Sequence, residues 1–142
     1  MLLTLMKCKL HAATITECDI DYEGSIAIDR GLMEAAGLVP HERVDIYNIT
    51  NGERLSTYVI VAPEGSGKIG LNGAAARRAA RGDKVIIAAY AQMSQEEAEA
   101  HRPTVLLIDD DYRVKHTAVP PCCGAAKPMP IASHPSVRTS DR

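Results

Sequence analysis

The stretch 43-RVDIYNITNGERLSTYVIVA-62 carries the clearest fold information in the sequence. Two segments rich in β-branched, aromatic and aliphatic residues, 43–49 and 53–62, flank the dipeptide Asn51-Gly52. Asn-Gly between two such segments is the strongest short-range sign of a β-hairpin, because both residues tolerate the positive φ angles of a tight hairpin turn. We therefore predict two antiparallel strands joined at this dipeptide.

Apolar runs and alternating patterns predict further strands on both sides of the hairpin, at 2–16, 68–71, 84–93 and 104–109. Short helices are predicted at 29–38, 72–83 and 94–101, with N-caps at Asp29, Asn72 and Ser94. Parallel strands of a doubly wound sheet need helical crossovers throughout, and this chain has too few helices. The sequence therefore predicts a mainly β protein with short helices, folded as a small closed barrel.

Composition narrows the classes of partner and compartment. The chain has 142 residues, a formal net charge of -2, no Phe, no Trp and no long basic run. Nucleic acid and anionic membranes bind through concentrated positive charge, so we expect neither as a partner. No run approaches the ~18 apolar residues of a membrane span, and the first residues lack the order of a signal peptide. We expect one domain in the cytoplasm.

The cysteines and the last residues carry little chemical information. Cys8, Cys18, Cys122 and Cys123 show no Cys-x-x-Cys spacing, so we expect free thiols in a reducing compartment and no metal site. Residues 118–142 are rich in Pro and Ser and have no hydrophobic periodicity. We predict that this segment is a disordered Pro-rich tail.

Strand alternation selects candidate functional side chains. Within 53–62, Arg54 and Tyr58 fall on one face and Thr57 on the other. Arginine offers a planar fork to a carboxylate, and a tyrosine phenol stays protonated at neutral pH and can donate its proton. Lys9 and His11 share a face of the first strand. The alternative for each pair is a solvated polar strand face.

The sequence 72-NGAA-75 forms a second candidate site. If Asn72 caps a helix, the small residues Gly73, Ala74 and Ala75 leave free backbone N–H groups open to an anion. The alternative is an ordinary capped helix that binds water alone.

Gly24-Ser25 interrupts the strand-like stretch 19-DIDYEGSIAIDR-30. Glu-Gly-Ser recurs at 64–66 within a turn-like segment, so the tripeptide alone is uninformative. Because glycine lacks a Cβ and tolerates strained dihedral angles, the Ser25 hydroxyl has access to the carbonyl of Gly24. The resulting ester can eliminate, which cuts the chain and leaves a dehydroalanine that hydrolyses to a pyruvoyl group.

Four motifs, in order and at these separations, closely resemble the bacterial, pyruvoyl-dependent aspartate decarboxylase family: Lys9 with His11, 22-YEGS-25, 50-TNGERLSTY-58 and 72-NGAAA-76. The resemblance covers residues 1–117. It implies a double-psi β-barrel, a homotetramer with active sites between subunits, and a proenzyme cut between Gly24 and Ser25 into 1–24 and 25–142. It leaves open a helper protein for maturation.

The resemblance also implies a reaction and residue roles. Ser25 becomes the pyruvoyl group, which forms a Schiff base with L-aspartate, and the products are β-alanine for pantothenate and coenzyme A synthesis, and CO2. Tyr58 is the proton donor, and Thr57 assists self-cleavage and contacts substrate. Lys9 and Arg54 hold carboxylates, and the remaining substrate-binding positions are His11, Asn72, Gly73, Ala74 and Ala75.

Two alternatives stay open at this point. One is a non-catalytic double-psi barrel that serves as an interaction module, with Gly24-Ser25 as a simple bend. The other is a pyruvoyl decarboxylase of a different acidic amino acid, such as glutamate. The chain departs from the family in its tail and in Tyr47, where relatives often carry Trp, and we expect this second change to affect local packing alone.

Overall fold

A computed structural model of the chain describes residues 1–111 and 113–118, without the side chains of residues 115–118. Within these residues the elements are β1 (Leu2–Thr14), β2 (Glu17–Asp19), β3 (Ser25–Asp29), α1 (Arg30–Ala36), β4 (Arg43–Asn48), β5 (Arg54–Ala62), β6 (Ile69–Asn72), a 3₁₀ helix (Gly73–Arg78), β7 (Lys84–Ser94), α2 (Gln95–Ala100), β8 (Thr104–Ile108) and β9 (Val114–Ala118). The protein is therefore mainly β with few, short helices, as the sequence predicts.

The strands form one mixed sheet in the order β2-β6-β3-β5-β4-β7-β1-β8-β9. Three neighbouring pairs are parallel, β1–β8, β2–β6 and β3–β5. Just after β1, Ile15 N donates to Asp83 O and Thr16 N donates to Ile69 O of β6, both at 2.9 Å. The strands from β6 to β1 are consecutive neighbours in the sheet, and residues 15–19, which follow β1, contact β6 again. This closed order of neighbours fits a barrel. The double-psi topology is consistent with these pairings and stays a prediction.

Aliphatic side chains from most strands of the sheet pack into one core. The largest fully buried side chains are Leu10, Ile15, Ile26, Ile28, Ile46, Ile69, Leu71, Ile87, Leu106, Val44, Val59 and Val85. Burying each of them contributes about 1.5–3 kcal/mol. Because β3, β5 and β6 all contribute to this cluster, the segments that follow or precede them are held on a rigid frame.

The predicted hairpin is confirmed. β4 and β5 pair antiparallel, and the register places Tyr47 opposite Arg54 and Arg43 opposite Tyr58. Gly52 has φ 80°, which glycine adopts without steric cost. The buried Asn48 fixes the turn, since its Oδ1 accepts from the backbone N–H groups of Thr50 and Asn51.

Two of the three predicted helices form near their expected bounds. Asp29 caps α1 by accepting from Gly31 N at 2.7 Å, and α1 ends at Gly37 in the left-handed conformation. Ser94 and Glu97 form the capping box of α2.

The predicted helix 72–83 is wrong. Asn72 is the last residue of β6, with extended dihedral angles, and only Gly73–Arg78 is helical, as a 3₁₀ helix. Within the described chain the Asn72 side chain makes no capping hydrogen bond; its Nδ2 donates to Ser25 Oγ. The expected N-cap at Asn72 is therefore wrong, whereas an anion site at the backbone N–H groups of residues 73–75 stays a prediction.

The strand predictions need two further corrections. The predicted strand 2–16 ends at Thr14, with β2 following as a separate short strand, and Gly24 lies in a bend directly before β3, not inside a strand. β9 was not predicted from the sequence; it ends at Ala118, where the tail was expected to begin. Residues 119–142, with Cys122 and Cys123, lie outside the described residues. Cys8 and Cys18 are free thiols.

Candidate active site

Ser25 opens β3 directly opposite Asn72, the last residue of β6. Its side chain is buried, with 1% of the residue exposed. Asn72 Nδ2 donates to Ser25 Oγ at 2.9 Å, and Ser25 Oγ donates to the carbonyl oxygen of Glu23 at 3.3 Å. The hydroxyl is thus fixed beside the Gly24–Ser25 bond by one donor and one acceptor.

A cavity of about 580 Å³ lies next to this bond. Its lining combines residues from three of the sequence motifs, namely Gly24, Arg54, Leu55, Ser56, Thr57, Tyr58, Ala74, Ala75 and Arg78. A pocket of this size accommodates a small molecule. The structure therefore brings six of the predicted site residues to one cavity, which Ser25 adjoins through Gly24, whereas Asn72 lines a separate pocket with Tyr22 and Ala27.

Thr57 and Tyr58 both line the cavity although they lie on opposite faces of β5. Tyr58 is exposed and Thr57 half-buried, as alternation predicts. The pairs between β4 and β5 run without interruption up to Tyr58, so no bulge is involved. In the described chain, residues 54–58 pair with β4 alone, whereas β3 pairs with β5 from Val59 onward. The cavity lies along this free edge, where side chains of both faces reach it.

Arg54 is held by an aromatic pair. Its guanidinium carbon lies 4.7 Å from the centre of the Tyr47 ring, a cation–π geometry. The Tyr47 hydroxyl is 2.8 Å from the hydroxyl of Tyr90 on β7. This hydrogen bond and partial burial raise the pKa of Tyr47 to about 12, so its phenol stays neutral. The expectation that Tyr47 affects local packing alone is wrong, because it contacts a predicted carboxylate-binding residue.

Lys9 and His11 are not brought to the cavity. Both lie on β1, where Lys9 is opposite Ala88 of β7 and Val105 of β8. His11 Nδ1 is buried and has no hydrogen-bond partner among the described residues. Lys9 and His11 lie on one strand, as predicted. Within a single chain, however, they do not line the cavity that contains Arg54 and Tyr58.

Sequence reasoning missed Arg78 and His41. Arg78 ends the 3₁₀ helix at the cavity wall and forms an ion pair with Glu53. His41 has φ 68°, and its ring centre lies 6.2 Å from that of Tyr58. The signal for Arg78 was its i, i+3 spacing from Ala75, which places both residues on one helix face. No sequence pattern points to His41, because the contact depends on the path of the loop before β4.

The described residues contain no cluster of three or more side chains suited to a metal ion. Among the helices of that same part of the chain, none has the length and apolar character to cross a bilayer.

Comparison with known proteins gives one family. A family model described as aspartate decarboxylase matches residues 1–115. Aspartate 1-decarboxylase of Phenylobacterium zucineum strain HLK1 is 58% identical over 118 residues, which are 83% of this chain and 100% of the relative. Those of Maricaulis maris strain MCS10 and Caulobacter vibrioides are 59% and 56% identical, over 80% and 83% of this chain and 94% and 100% of theirs. The chain belongs to the aspartate decarboxylase family.

Proposed function

We propose that this protein converts L-aspartate to β-alanine and CO2 for pantothenate synthesis, after it has cut itself between Gly24 and Ser25. The observation that best supports this proposal is the buried hydrogen bond between Ser25 and Asn72, next to a cavity lined by Arg54, Thr57 and Tyr58. The relatives named above are decarboxylases, which speaks against a non-catalytic interaction module. The decarboxylase domain spans residues 1–117, and the expected compartment is the cytoplasm.

The self-cleavage uses atoms of the chain and one water molecule. Ser25 Oγ attacks the Gly24 carbonyl carbon; the new C–O bond replaces the C–N bond, and the hydroxyl proton ends on the Ser25 amine. Loss of the Ser25 Cα proton then expels the Gly24 carboxylate and leaves dehydroalanine. Its imine tautomer takes up water and releases ammonia, which gives the pyruvoyl group on residue 25. Asn72 holds Oγ, and Thr57 borders the cavity beside Gly24.

The residues present fit the formation of a pyruvoyl group, because Ser25 is enclosed and Asn72 Nδ2 donates to its Oγ, the atom that leaves with the Gly24 carboxylate. The ketone supplies an electrophile and an electron sink for decarboxylation. Arg54 pairs with a substrate carboxylate through its planar fork. Tyr58 carries the proton that replaces the lost carboxylate. Ala74 and Ala75 line the cavity, and Gly73 precedes them at the start of the 3₁₀ helix.

Assembly completes the site. Lys9 and His11 are assigned to substrate binding, yet within one chain they lie away from the cavity. A homotetramer with active sites between subunits places these two residues of one subunit against the cavity of a neighbour. A maturation helper remains compatible with this proposal.

Denaturing mass spectrometry tests self-cleavage. The wild type should give fragments 1–24 and 25–142, the larger one with the mass of a pyruvoyl terminus, and it should form β-alanine from L-aspartate. Ser25→Ala should stay intact and inactive. Ser66→Ala is the matched control, because Ser66 belongs to the second Glu-Gly-Ser and lies in an exposed turn; it should cleave like the wild type.

Two results would contradict the proposal. One is a full-length wild type after prolonged incubation with any maturation helper, with no β-alanine formed. The other is cleavage at this bond in Ser25→Ala. Competition between L-aspartate and L-glutamate tests the substrate, and a preference for glutamate would overturn the assignment to aspartate.

A further inference from the structure

We propose that Gly73 positions the scissile Gly24–Ser25 bond, so that the absence of a side chain at residue 73 is a requirement of self-cleavage. This inference rests on the proposed function, since it concerns the same bond. It assigns to Gly73 a role in making the active site that is distinct from contact with substrate.

The backbone of the scissile segment lies directly against Gly73. A Cβ added at Gly73 would lie 2.7 Å from Gly24 Cα, 2.8 Å from Gly24 N and 3.0 Å from the carbonyl oxygen of Tyr22. All three are backbone atoms, so no side-chain rotation can relieve the contact. Any residue other than glycine at position 73 therefore requires a shift of the Tyr22–Gly24 backbone or of the backbone at residue 73 itself, and either shift changes how the two segments meet.

Asn72, the residue before Gly73, keeps Ser25 in place when Gly24 is displaced. Ser25 pairs with Asn72 across β3 and β6, and Asn72 Nδ2 donates to Ser25 Oγ at 2.9 Å. Asn72 thus holds Ser25, and Gly73 determines how closely Gly24 approaches. Two consecutive residues, the last of β6 and the first of the 3₁₀ helix, set the position of the two residues joined by the scissile bond.

Displacing Gly24 alone changes the geometry of the reaction. For the acyl shift, Ser25 Oγ must approach the Gly24 carbonyl carbon to ~3–3.5 Å in the correct direction, and a misplacement of ~1 Å costs about 100-fold in rate. In this shift a C–O bond forms, the C–N bond breaks and the hydroxyl proton passes to the Ser25 amine. Gly73 supplies no atom to this step, so it acts as a positioning residue.

Gly73→Ala tests the proposal, and two other glycines give matched controls. Gly73, Gly37 and Gly65 have φ of 62°, 73° and 75°, so alanine is similarly strained at all three. A Cβ at Gly37 or Gly65, however, meets no described atom within 4 Å. We expect Gly73→Ala to slow the appearance of fragment 25–142 by about 100-fold, and Gly37→Ala and Gly65→Ala to cleave within a few-fold of the wild type.

A second measurement uses chains that cannot cleave. In a Ser25→Ala background, Gly73→Ala should unfold cooperatively with a melting temperature close to that of Gly37→Ala. Amide hydrogen exchange should become faster in peptides that cover residues 20–25 and stay unchanged in β7. These results would place the disturbance in the scissile segment.

The outcomes separate this inference from the proposed function. If the wild type cleaves and Gly73→Ala cleaves equally fast, the inference is overturned and the proposed function stands. Equal slowing in all three alanine variants, or loss of cooperative unfolding in Gly73→Ala alone, also contradicts it, because the effect would then come from the whole fold. If the wild type never cleaves, both fail together.

Discussion

At the scale of single residues, the hydrogen bond between the hydroxyls of Tyr47 and Tyr90 links β7 to the ring that stacks on Arg54. The strand register places Tyr47 opposite Arg54, and the hydrogen bond to Tyr90 fixes the orientation of the ring under the guanidinium. An arginine side chain loses considerable rotamer freedom when it binds a carboxylate. Stacking on a fixed ring reduces this loss before substrate arrives.

Removing the Tyr47 ring should therefore weaken substrate binding. A cation–π contact of this kind contributes about 0.5–2 kcal/mol, so Tyr47→Leu should raise KM for L-aspartate by about 2- to 30-fold and leave kcat within a few-fold. Tyr47→Phe keeps the ring and serves as the matched control, with a smaller increase. Steady-state kinetics on fully cleaved enzyme measures the effect. An unchanged KM in Tyr47→Leu would show that Arg54 is positioned by other contacts.

Several of these residue positions could be predicted from the sequence alone. Alternation along β5 correctly separated Arg54 and Tyr58 from Thr57. The partner of Arg54 could not, because a two-residue Asn51-Gly52 turn would align Tyr47 with Ser56, whereas the observed loop is longer and pairs Tyr47 with Arg54. The contact of Gly73 with Gly24 could not, since it depends on two distant segments that meet only in the folded chain.

At the scale of elements, Asp29 links the start of α1 to the loop before β6. Its carboxylate accepts from Gly31 N and from Gly67 N, both at 2.7 Å. Burial raises the pKa of Asp29, but the backbone N–H groups of Gly67 and Gly31 outweigh it, and the pKa is lowered overall. The charged carboxylate is thus the form that the fold favours.

Asp29→Asn should lower the free energy of unfolding by about 1–2 kcal/mol at neutral pH, because each backbone donor loses a charged acceptor. A lowered pKa in the folded state stabilises the protein above the unfolded pKa of ~3.9. The difference between wild type and variant should therefore be constant above about pH 5 and shrink as pH falls through the folded pKa. Urea unfolding of Ser25→Ala proteins at several pH values measures it. A difference that grows on acidification would contradict this account.

The elements that the sequence predicts correctly are those whose signals act over a short range along the chain. The hairpin, α1 and α2 were found because their turn and cap residues act within a few positions along the chain. The helix expected at 72–83 failed because Asn72 is paired with Ser25 of β3 and with Asp19 of β2. These strand pairings override the helix propensity of the alanines that follow.

At the scale of the whole molecule, the sheet order joins strands that are far apart in sequence. β1 pairs in parallel with β8, and β3 with β5, which no local pattern reveals. The cavity likewise combines Gly24, residues 54–58 and residues 74–78. The sequence motifs correctly identified most of its lining, but only the folded chain shows that Lys9 and His11 lie elsewhere on β1.

This separation leads to a test of where the complete site is formed. Tyr58→Phe should abolish most activity, since proton transfer by a positioned group contributes about 10²–10⁴-fold, and Lys9→Ala should do so because it removes a predicted partner of the substrate carboxylate. If Lys9 of one subunit serves the cavity of its neighbour, tetramers that contain both variants restore some sites with both residues intact. Random coassembly gives about one quarter of such sites, so the coexpressed mixture should recover about a quarter of wild-type activity per cleaved chain. Mixing the separately assembled variants is the control and should recover none. If both residues act within one chain, no hybrid site is complete, and coexpression will restore nothing.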